Sequence, residues 1–578
     1  MEHKNGTQSP DGPGAQAVAP PRAGARRVGA LWAGARGARP RRVRRSLGTA
    51  LVLLFAGILA GCPEASLLDE LRNARTLPGQ VTGLSTSSGF EKITLSWNDP
   101  EDPDLTAVSV QWNSGSRSVP AGTESVTVEG LENRREYSFT LRAVDASGNE
   151  SEGSTISAFP AITLGTVASH QKVSDLEGGF TGTLAAEDSF GSALASLGDL
   201  DGDGVEDLVG GAYGDDAGNS NAGAVYVLFM NAAGTVGSHQ KISAASDGDG
   251  FDGSLAAGAL FGNAVFAPGD IDDDGVPDLV VGAPGEGTFG VVFVLFLNTD
   301  GTVKASKRIT DDLNGLPAGS LSLGDEFGRS VGSPGDLNGD GVPELLVGAV
   351  LTDDGGPDRG AAWVLFLDST GSVTGQRKIS DTAGGFDGTL ENDDRFGSAV
   401  AGIGDLDGDG VPDAVVGAAG DAGGGASRGA LYLLLLNSDG TVRQQRKIPA
   451  EEAGLDSAAY DNARLGTSVA SPGDLDGDGV ADLLAGGAAY DSSRGGAWVI
   501  FLNEDGSPRQ SQEISEGVGG FSGTLAGTPN ADRFGYAVGS AGDLNDDGVI
   551  DLAVGAFEDD DGGPNRGAFY TLFLEQAP

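Results

Sequence analysis

One unit recurs six times between residues 163 and 578, and this repetition constrains the fold more than any other feature of the chain. Each unit opens on Phe-Gly, at 190–191, 261–262, 327–328, 396–397 and 534–535, with Leu465-Gly466 as the one variation. A small-residue apolar segment follows, then an aspartate-rich loop, then an apolar segment ending in Gly-Ala, as in Leu279-Val280-Val281-Gly282-Ala283. A variable Gly/Asp loop leads to a second apolar run, such as Val291 to Leu297. A turn then carries Asp300-Gly301, Asp439-Gly440 or Asp505-Gly506, and a last segment holds Lys-Ile-Ser at 241–243 and 378–380. Glycine supplies the positive φ that a tight hairpin turn needs. Short apolar runs between Gly-rich turns read as strands. Four strands per unit is the size of a propeller blade.

The two ends of the repeat region are complementary. Ser169-His170-Gln171-Lys172-Val173-Ser174 reads as the last strand of a unit with nothing before it. Ala568 to Leu574 reads as the third strand of a unit with nothing after it. Pairing them would complete a sixth blade and remove both exposed edges. The expectation is an all-β chain: a β-propeller of six four-stranded blades, closed by pairing of its N- and C-terminal strands.

The acidic loops start at Asp199, Asp270, Asp336, Asp405, Asp474 and Asp543, at near-equal spacing. Counting the first Asp as position 1, oxygen side chains stand at positions 1, 3, 5 and 9, with Gly at 6. The carbonyl of position 7 completes the expected ligand set. The first loop offers Asp199, Asp201, Asp203, Val205 and Asp207; the second Asp270, Asp272, Asp274, Val276 and Asp278; the third Asp336, Asn338, Asp340, Val342 and Glu344. The fourth offers Asp405, Asp407, Asp409, Val411 and Asp413; the fifth Asp474, Asp476, Asp478, Val480 and Asp482; the sixth Asp543, Asn545, Asp547, Val549 and Asp551.

A hard cation takes six to eight oxygens, and alternate side chains on a tight turn can be aimed at one point. Without a cation, carboxylates so close would repel and raise one another's pKa. Calcium is expected at about six sites in a structural role. An EF-hand is excluded, because position 12 is Gly210, Val281, Val347, Val416, Ala485 or Val554 rather than a bidentate Glu. Magnesium prefers fewer protein ligands and keeps its waters. Transition metals would want the His and Cys that these loops lack.

Phe-Gly, Gly-Ala-Pro at 282–284 and the intervening acidic loop, recurring in order, resemble the FG-GAP repeats of integrin α-subunit propellers. The resemblance covers residues 163–578, most of the chain. It implies a propeller whose calcium loops lie between adjacent strands. The integrin propeller has seven blades; this sequence carries six complete units.

From Thr76 to about Pro160 the pattern alternates with period two, through Ile93 to Trp97, Ala107 to Trp112, Ser125 to Val128 and Tyr137 to Val144. About seven short strands in this span suggest a β-sandwich. Pro78 at the entry, Trp97 on an early strand, and Leu131 shortly before Tyr137 resemble a fibronectin type III module. Trp97, Leu131 and Tyr137 are expected in its core, and the module is read as a spacer.

The chain has 36 basic and 83 acidic residues, a net charge of −47, which repels nucleic acid and anionic lipid. Its one cysteine, Cys62, forms no intramolecular disulfide. Arg41, Arg42, Arg44 and Arg45 precede an apolar run from Leu47 to Ala60, and then comes Leu59-Ala60-Gly61-Cys62. A charged region, a short apolar stretch and small residues mark an export signal. The last four residues resemble the lipobox of bacterial lipoproteins, which implies lipidation of Cys62; Pro63 after it favours the outer membrane. The expected organisation is thus a low-complexity extension and signal over 1–61, a tether over 62–75, a fibronectin type III-like domain over 76–160 and the propeller over 161–578.

Histidine is confined to His3, His170 and His239, the last two in the same Ser-His-Gln-Lys context of successive units, which marks a structural slot. Arg359, Arg428, Arg494 and Arg566 recur before Gly at the start of the third strand, placed for salt bridges within the blade or for lining a binding face. The function expected is a non-catalytic, calcium-binding, envelope-anchored adhesion or ligand-binding module with an extracellular protein or glycan as partner. The alternatives are a hydrolase using acidic residues near the ring axis and a scaffold for an envelope complex.

Overall fold

The computed structural model describes residues 77–575, apart from 90–91, 132–134, 161–163, 245–248 and 456. The signal sequence, Cys62 and His3 lie outside the described residues. Thr82–Gly89, Lys92–Asn98 and Ser125–Val128 form one antiparallel sheet. Gly115–Pro120, Leu105–Trp112, Tyr137–Asp145 and Ser154–Ala158 form a second. Along Tyr137–Asp145 every second side chain is buried, which puts Tyr137, Phe139 and Leu141 in the core with Trp97 and Leu131. The seven-stranded sandwich is as the alternation predicts, and its three core residues are as the resemblance implies.

Six four-stranded antiparallel sheets follow. The first blade runs Phe190–Gly198, Asp207–Ala212, Ala224–Met230 and Val236–Ser243, each strand bonded to the next. The sixth runs Val538–Gly542, Asp551–Ala556 and Ala568–Leu574, and its fourth strand is Val167–Ser174. Ala568 pairs with Ser174, Tyr570 with Lys172 and Leu572 with His170. The strand that precedes the first blade therefore completes the last.

The innermost strands contact one another in succession around an axis, and the sixth contacts the first. One apolar cluster lies between each pair of neighbouring blades. That between the sixth and the first holds Val173, Ala537, Phe569, Phe190, Leu208 and Tyr226. The second and third strands, covered on both faces, are buried along their whole length in runs such as Val291–Leu297. This is why they read as continuous apolar segments rather than alternating ones.

The Phe-Gly pair is a clasp between blades. Its Phe N–H donates to the carbonyl just before the glycine that opens the third strand of the preceding blade. Phe261 N donates to Ala222 O at 3.0 Å, Phe396 to Arg359 O at 2.9 Å and Leu465 to Arg428 O at 2.7 Å. Phe190 N makes the same bond to Arg566 O at 2.9 Å, from the first blade to the sixth. A Cβ on Gly567 would lie 2.2 Å from Phe190 O, and at Gly223 it would lie 2.0 Å from Phe261 O. Both glycines also hold φ near +90°, where a side chain is strained. The Phe rings are fully buried, each contributing roughly 1.5–3 kcal/mol of transfer free energy.

Candidate metal centres

Each acidic loop joins the innermost strand of a blade to its second strand, and all six are built alike. Gly204, Gly275, Gly341, Gly410, Gly479 and Gly548 at position 6 have φ between 85° and 92°. Position 4 is left-handed too, as Gly in four loops and as Asp273 and Asp546 in the others. Asp is one of the few side-chain-bearing types that tolerate this region. The position-1 carboxylate accepts backbone N–H bonds from positions 5 and 6, as when Asp199 receives Asp203 N at 2.9 Å and Gly204 N at 2.9 Å. The position-5 carboxylate accepts from position 7, at 2.9 Å from Val205 to Asp203 and 3.0 Å from Val276 to Asp274. The position-7 valines pack with their side chains against the clusters between blades. The turn is thus preformed by its own hydrogen bonds and anchored in the core.

These constraints make carboxylates converge. Oxygens of three acidic residues lie within 4.8 Å of one another in five loops: Asp199, Asp201 and Asp203; Asp270, Asp272 and Asp278; Asp336, Asp340 and Glu344; Asp405, Asp407 and Asp413; Asp474, Asp476 and Asp482. The sixth loop, with Asn545 at position 3, shares the turn without forming such an acidic trio. Position 9 begins the second strand and is fully buried. One of its oxygens accepts the N–H of position 2, as from Leu406 to Asp413 at 3.0 Å; in the same residue the other accepts Leu436 N, at the end of the third strand, at 2.9 Å. Burial pushes these carboxyls up despite those bonds, to about 6 for Asp207, Asp278 and Asp413 and about 7 for Glu344, Asp482 and Asp551. An all-oxygen set of this density, whose buried position-9 carboxyl has its charged form disfavoured until a counter-charge arrives, suits a hard divalent cation.

The six loops divide into two kinds. The fourth strand of every blade carries a bulge near its start. In the second, fourth and fifth blades the bulged residue is basic. Lys304 bridges Asp272, at 3.0 Å, and Asp274; Arg443 bridges Asp407 and Asp409, the latter at 3.0 Å; Arg509 bridges Asp476 and Asp478, the latter at 2.9 Å. In the first, third and sixth blades it is Gly237, Thr374 or Ala168, none of which carries a charge to the loop. A bulge re-aims a side chain, and here it aims a tethered cation at positions 3 and 5. The Lys304 hydrogen bond is the first cause of Asp274 lying below the usual carboxylate range.

The histidines and arginines singled out in the sequence serve the blades. His170 lies 4.8 Å from the Phe521 ring and His239 4.9 Å from Phe180, equivalent slots in which burial lowers both imidazoles. The recurrent arginines do pair within the blade: Arg359 with Asp381 at 2.6 Å, Arg428 with Asp461 at 2.7 Å, Arg494 with Glu516 at 3.1 Å, and Arg566 with Asp175. The Lys of Lys-Ile-Ser pairs with the acidic loop after Gly-Ala, as Lys378 with Asp354 at 2.9 Å, above the Trp363 ring at 5.6 Å. Sequence reasoning missed Lys304, Arg443 and Arg509. Their signal was present as a basic residue directly after the first apolar residue of the fourth strand in three of the units.

Known proteins share both parts of this chain. The fibronectin type III domain model matches residues 78–159. The FG-GAP repeat model matches 190–228, 261–295 and 327–365, three of the six units. Integrin alpha-5 of Xenopus laevis is 32% identical over 240 residues, covering 41% of this chain and 20% of that protein. Integrin alpha-3 of Cricetulus griseus is 37% identical over 163 residues, covering 28% and 14%. Human integrin alpha-IIb is 33% identical over 227 residues, covering 38% and 19%. The chain spans a fifth or less of the length of these relatives. The spore cortex lytic enzyme SleM of Clostridium perfringens matches 14% of this chain and 28% of its own at a TM-score of 0.14 and 22% identity, too slight to bear on function. The chain carries a fibronectin type III domain followed by integrin alpha-like FG-GAP repeats.

Proposed function

We propose that this chain is a non-catalytic adhesion or ligand-binding module whose six acidic loops hold Ca²⁺, carried on a bacterial envelope by lipidated Cys62. The observation that carries the metal reading is the convergence of carboxylate oxygens in five loops of one conformation. The likeness to integrin alpha chains supports the adhesion or ligand-binding role. In each loop the side chains at positions 1, 3, 5 and 9 and the carbonyl at 7 are the ligands. The cation supplies fixed positive charge between the first two strands of a blade; the chain supplies the preformed turn and the buried acid. Affinity in the range of extracellular modules, about 10⁻⁴–10⁻³ M, fits ligands held on exposed turns.

The bulge residue grades the sites. Loops with Gly237, Thr374 and Ala168 at the bulge take the ion first; those facing Lys304, Arg443 and Arg509 must first release a tethered cation. Calcium titration of residues 63–578 by calorimetry, with melting followed with and without chelator, tests this. Two classes of site and a fall in melting temperature on chelation are expected; fewer than about three ions, or no loss of stability, removes the metal reading. The anchor is tested by labelling cells with a palmitate analogue. Label on the wild type and none on Cys62→Ala is expected, and recovery of the labelled protein in the outer-membrane fraction tests its location.

A further inference from the structure

The face of the ring opposite the acidic loops carries a different chemistry. The acidic loops leave the C-terminal ends of the innermost strands; the residue before each Phe-Gly stands at their N-terminal ends, at the other mouth of the axis. These residues are Ser189, Leu260, Glu326, Arg395, Arg464 and Arg533, all left-handed with φ between 55° and 59°. A left-handed position favours Gly, Asn or Asp on backbone grounds. Arginine at three successive such positions is therefore not explained by the turn.

Arg329, two residues beyond the Phe of the third blade, reaches across the axis. It donates to Tyr536 Oη of the sixth blade at 3.1 Å and to Asn263 Oδ1 at 2.8 Å, both neutral acceptors. Arg329, Arg395, Arg464 and Arg533 line one cavity of about 320 Å³, together with one acid, Glu326. Arg533 is paired with Glu558 at 2.9 Å. Arg395 and Arg464 are exposed, and neither has a carboxylate within 4.0 Å among the described residues. In the described ring only Lys307 and Arg329 share that condition, so three of the four unpaired cations meet in one cavity of a chain with net charge −47. Of the four arginines of this cavity, only Arg533 has a carboxylate within 4.0 Å among the described residues.

We propose that this mouth is an oxyanion-binding site for a ligand presenting a carboxylate or sulfate group on a body of small-molecule size. The planar guanidinium fork matches both groups and binds them bidentately; Ser398 and Thr467 also line the cavity, their hydroxyls donating to Gly466 O at 3.0 Å and Arg464 O at 2.7 Å. The volume is at the lower end of small-ligand pockets. The acidic surround excludes polyanions that cover a wide area and admits an anion that enters the axis. This deepens the ligand-binding reading and rests on it.

The test uses residues 63–578 saturated with Ca²⁺, titrated calorimetrically with sodium succinate and with sodium sulfate at constant ionic strength. Binding of at least one anion at millimolar concentration is expected, and which binds identifies the group recognised. Arg395→Gln/Arg464→Gln is expected to weaken it by at least about tenfold, while Lys307→Gln leaves it unchanged. No binding by either anion, an unaffected double variant, or an equal loss in Lys307→Gln would each overturn the proposal. Calcium stoichiometry is measured on the same samples. Anion binding lost with calcium retained concerns the mouth alone; calcium absent with anion binding intact concerns the metal reading alone.

Discussion

The acidic loops of the second, fourth and fifth blades and those of the first, third and sixth share a backbone; they differ at the bulge residue, and the third and sixth also carry Asn338 and Asn545 for Asp at position 3. Lys304, Arg443 and Arg509 give the former a counter-charge that is always present. The latter have Gly237, Thr374 and Ala168 at the bulge and no side-chain cation paired with the loop among the described residues. A repeated turn can thus be held by its own hydrogen bonds in every blade while a tethered cation meets its charge in three. The repeat fixes conformation, and in five loops, where three carboxylates converge, the bulge residue decides whether a tethered cation stands beside them.

The largest effect is expected from removing all exogenous cation. One site gains about 1.4 kcal/mol at tenfold excess of ligand over Kd and about 2.7 kcal/mol at hundredfold. Loops occupied together should therefore raise the melting temperature by many degrees, and a calcium-independent melt would erase the distinction between the two kinds. Next is the buried acid at position 9. Glu344→Ala in an unbraced loop leaves the Leu337 N–H without its acceptor and a cavity behind it, at about 2–4 kcal/mol. The fall in urea midpoint measures it, and an effect below about 1 kcal/mol would show the acid to be dispensable.

Exchange of the bulge residue is the sharpest test of the comparison. Arg443→Ala should tighten calcium at its loop, and Thr374→Lys should weaken it at the third, each by about tenfold for one charge a few ångströms from the ion. Loop-resolved titration checks both, and equal affinities across the set would break the division.

The smallest effect is the pH dependence of the cation-free protein. Burial raises Asp207, Asp278 and Asp413 to about 6 and Glu344, Asp482 and Asp551 to about 7. A carboxyl raised on folding contributes stability below its unfolded pKa near 4, and loses it as pH climbs through 6 to 7. The chelated protein should therefore melt lower at pH 7.5 than at pH 5, and saturating calcium should remove the difference. A chelated melt that rises over this interval would show that other groups dominate.

Much of this was legible in the residues. Six acidic loops at near-equal spacing, four apolar segments per unit, and two complementary ends pointed to the blades and to Val167–Ser174 completing the sixth. Trp97, Leu131 and Tyr137 were readable as core through the resemblance to a fibronectin type III module, and all three are buried in its core. Periodicity survives translation into structure wherever bonding is local, as it is within a turn or hairpin.

What repeats at a fixed period was therefore determined by the sequence itself: the turn, its glycine, the ligand positions and the blade. What only the tertiary structure decided lies where different units meet. The Phe-Gly pair became a clasp on the preceding blade, because Phe190 and Gly567 are brought together only when the last blade lies beside the first. The reach of Lys304 to Asp272 depends on a bulge in a strand two positions across the sheet. The gathering of Arg395 and Arg464 with Arg329 depends on the ring's axis. Each unites side chains far apart in the chain, and the arrangement of blades around that axis, rather than local periodicity, fixes those distances.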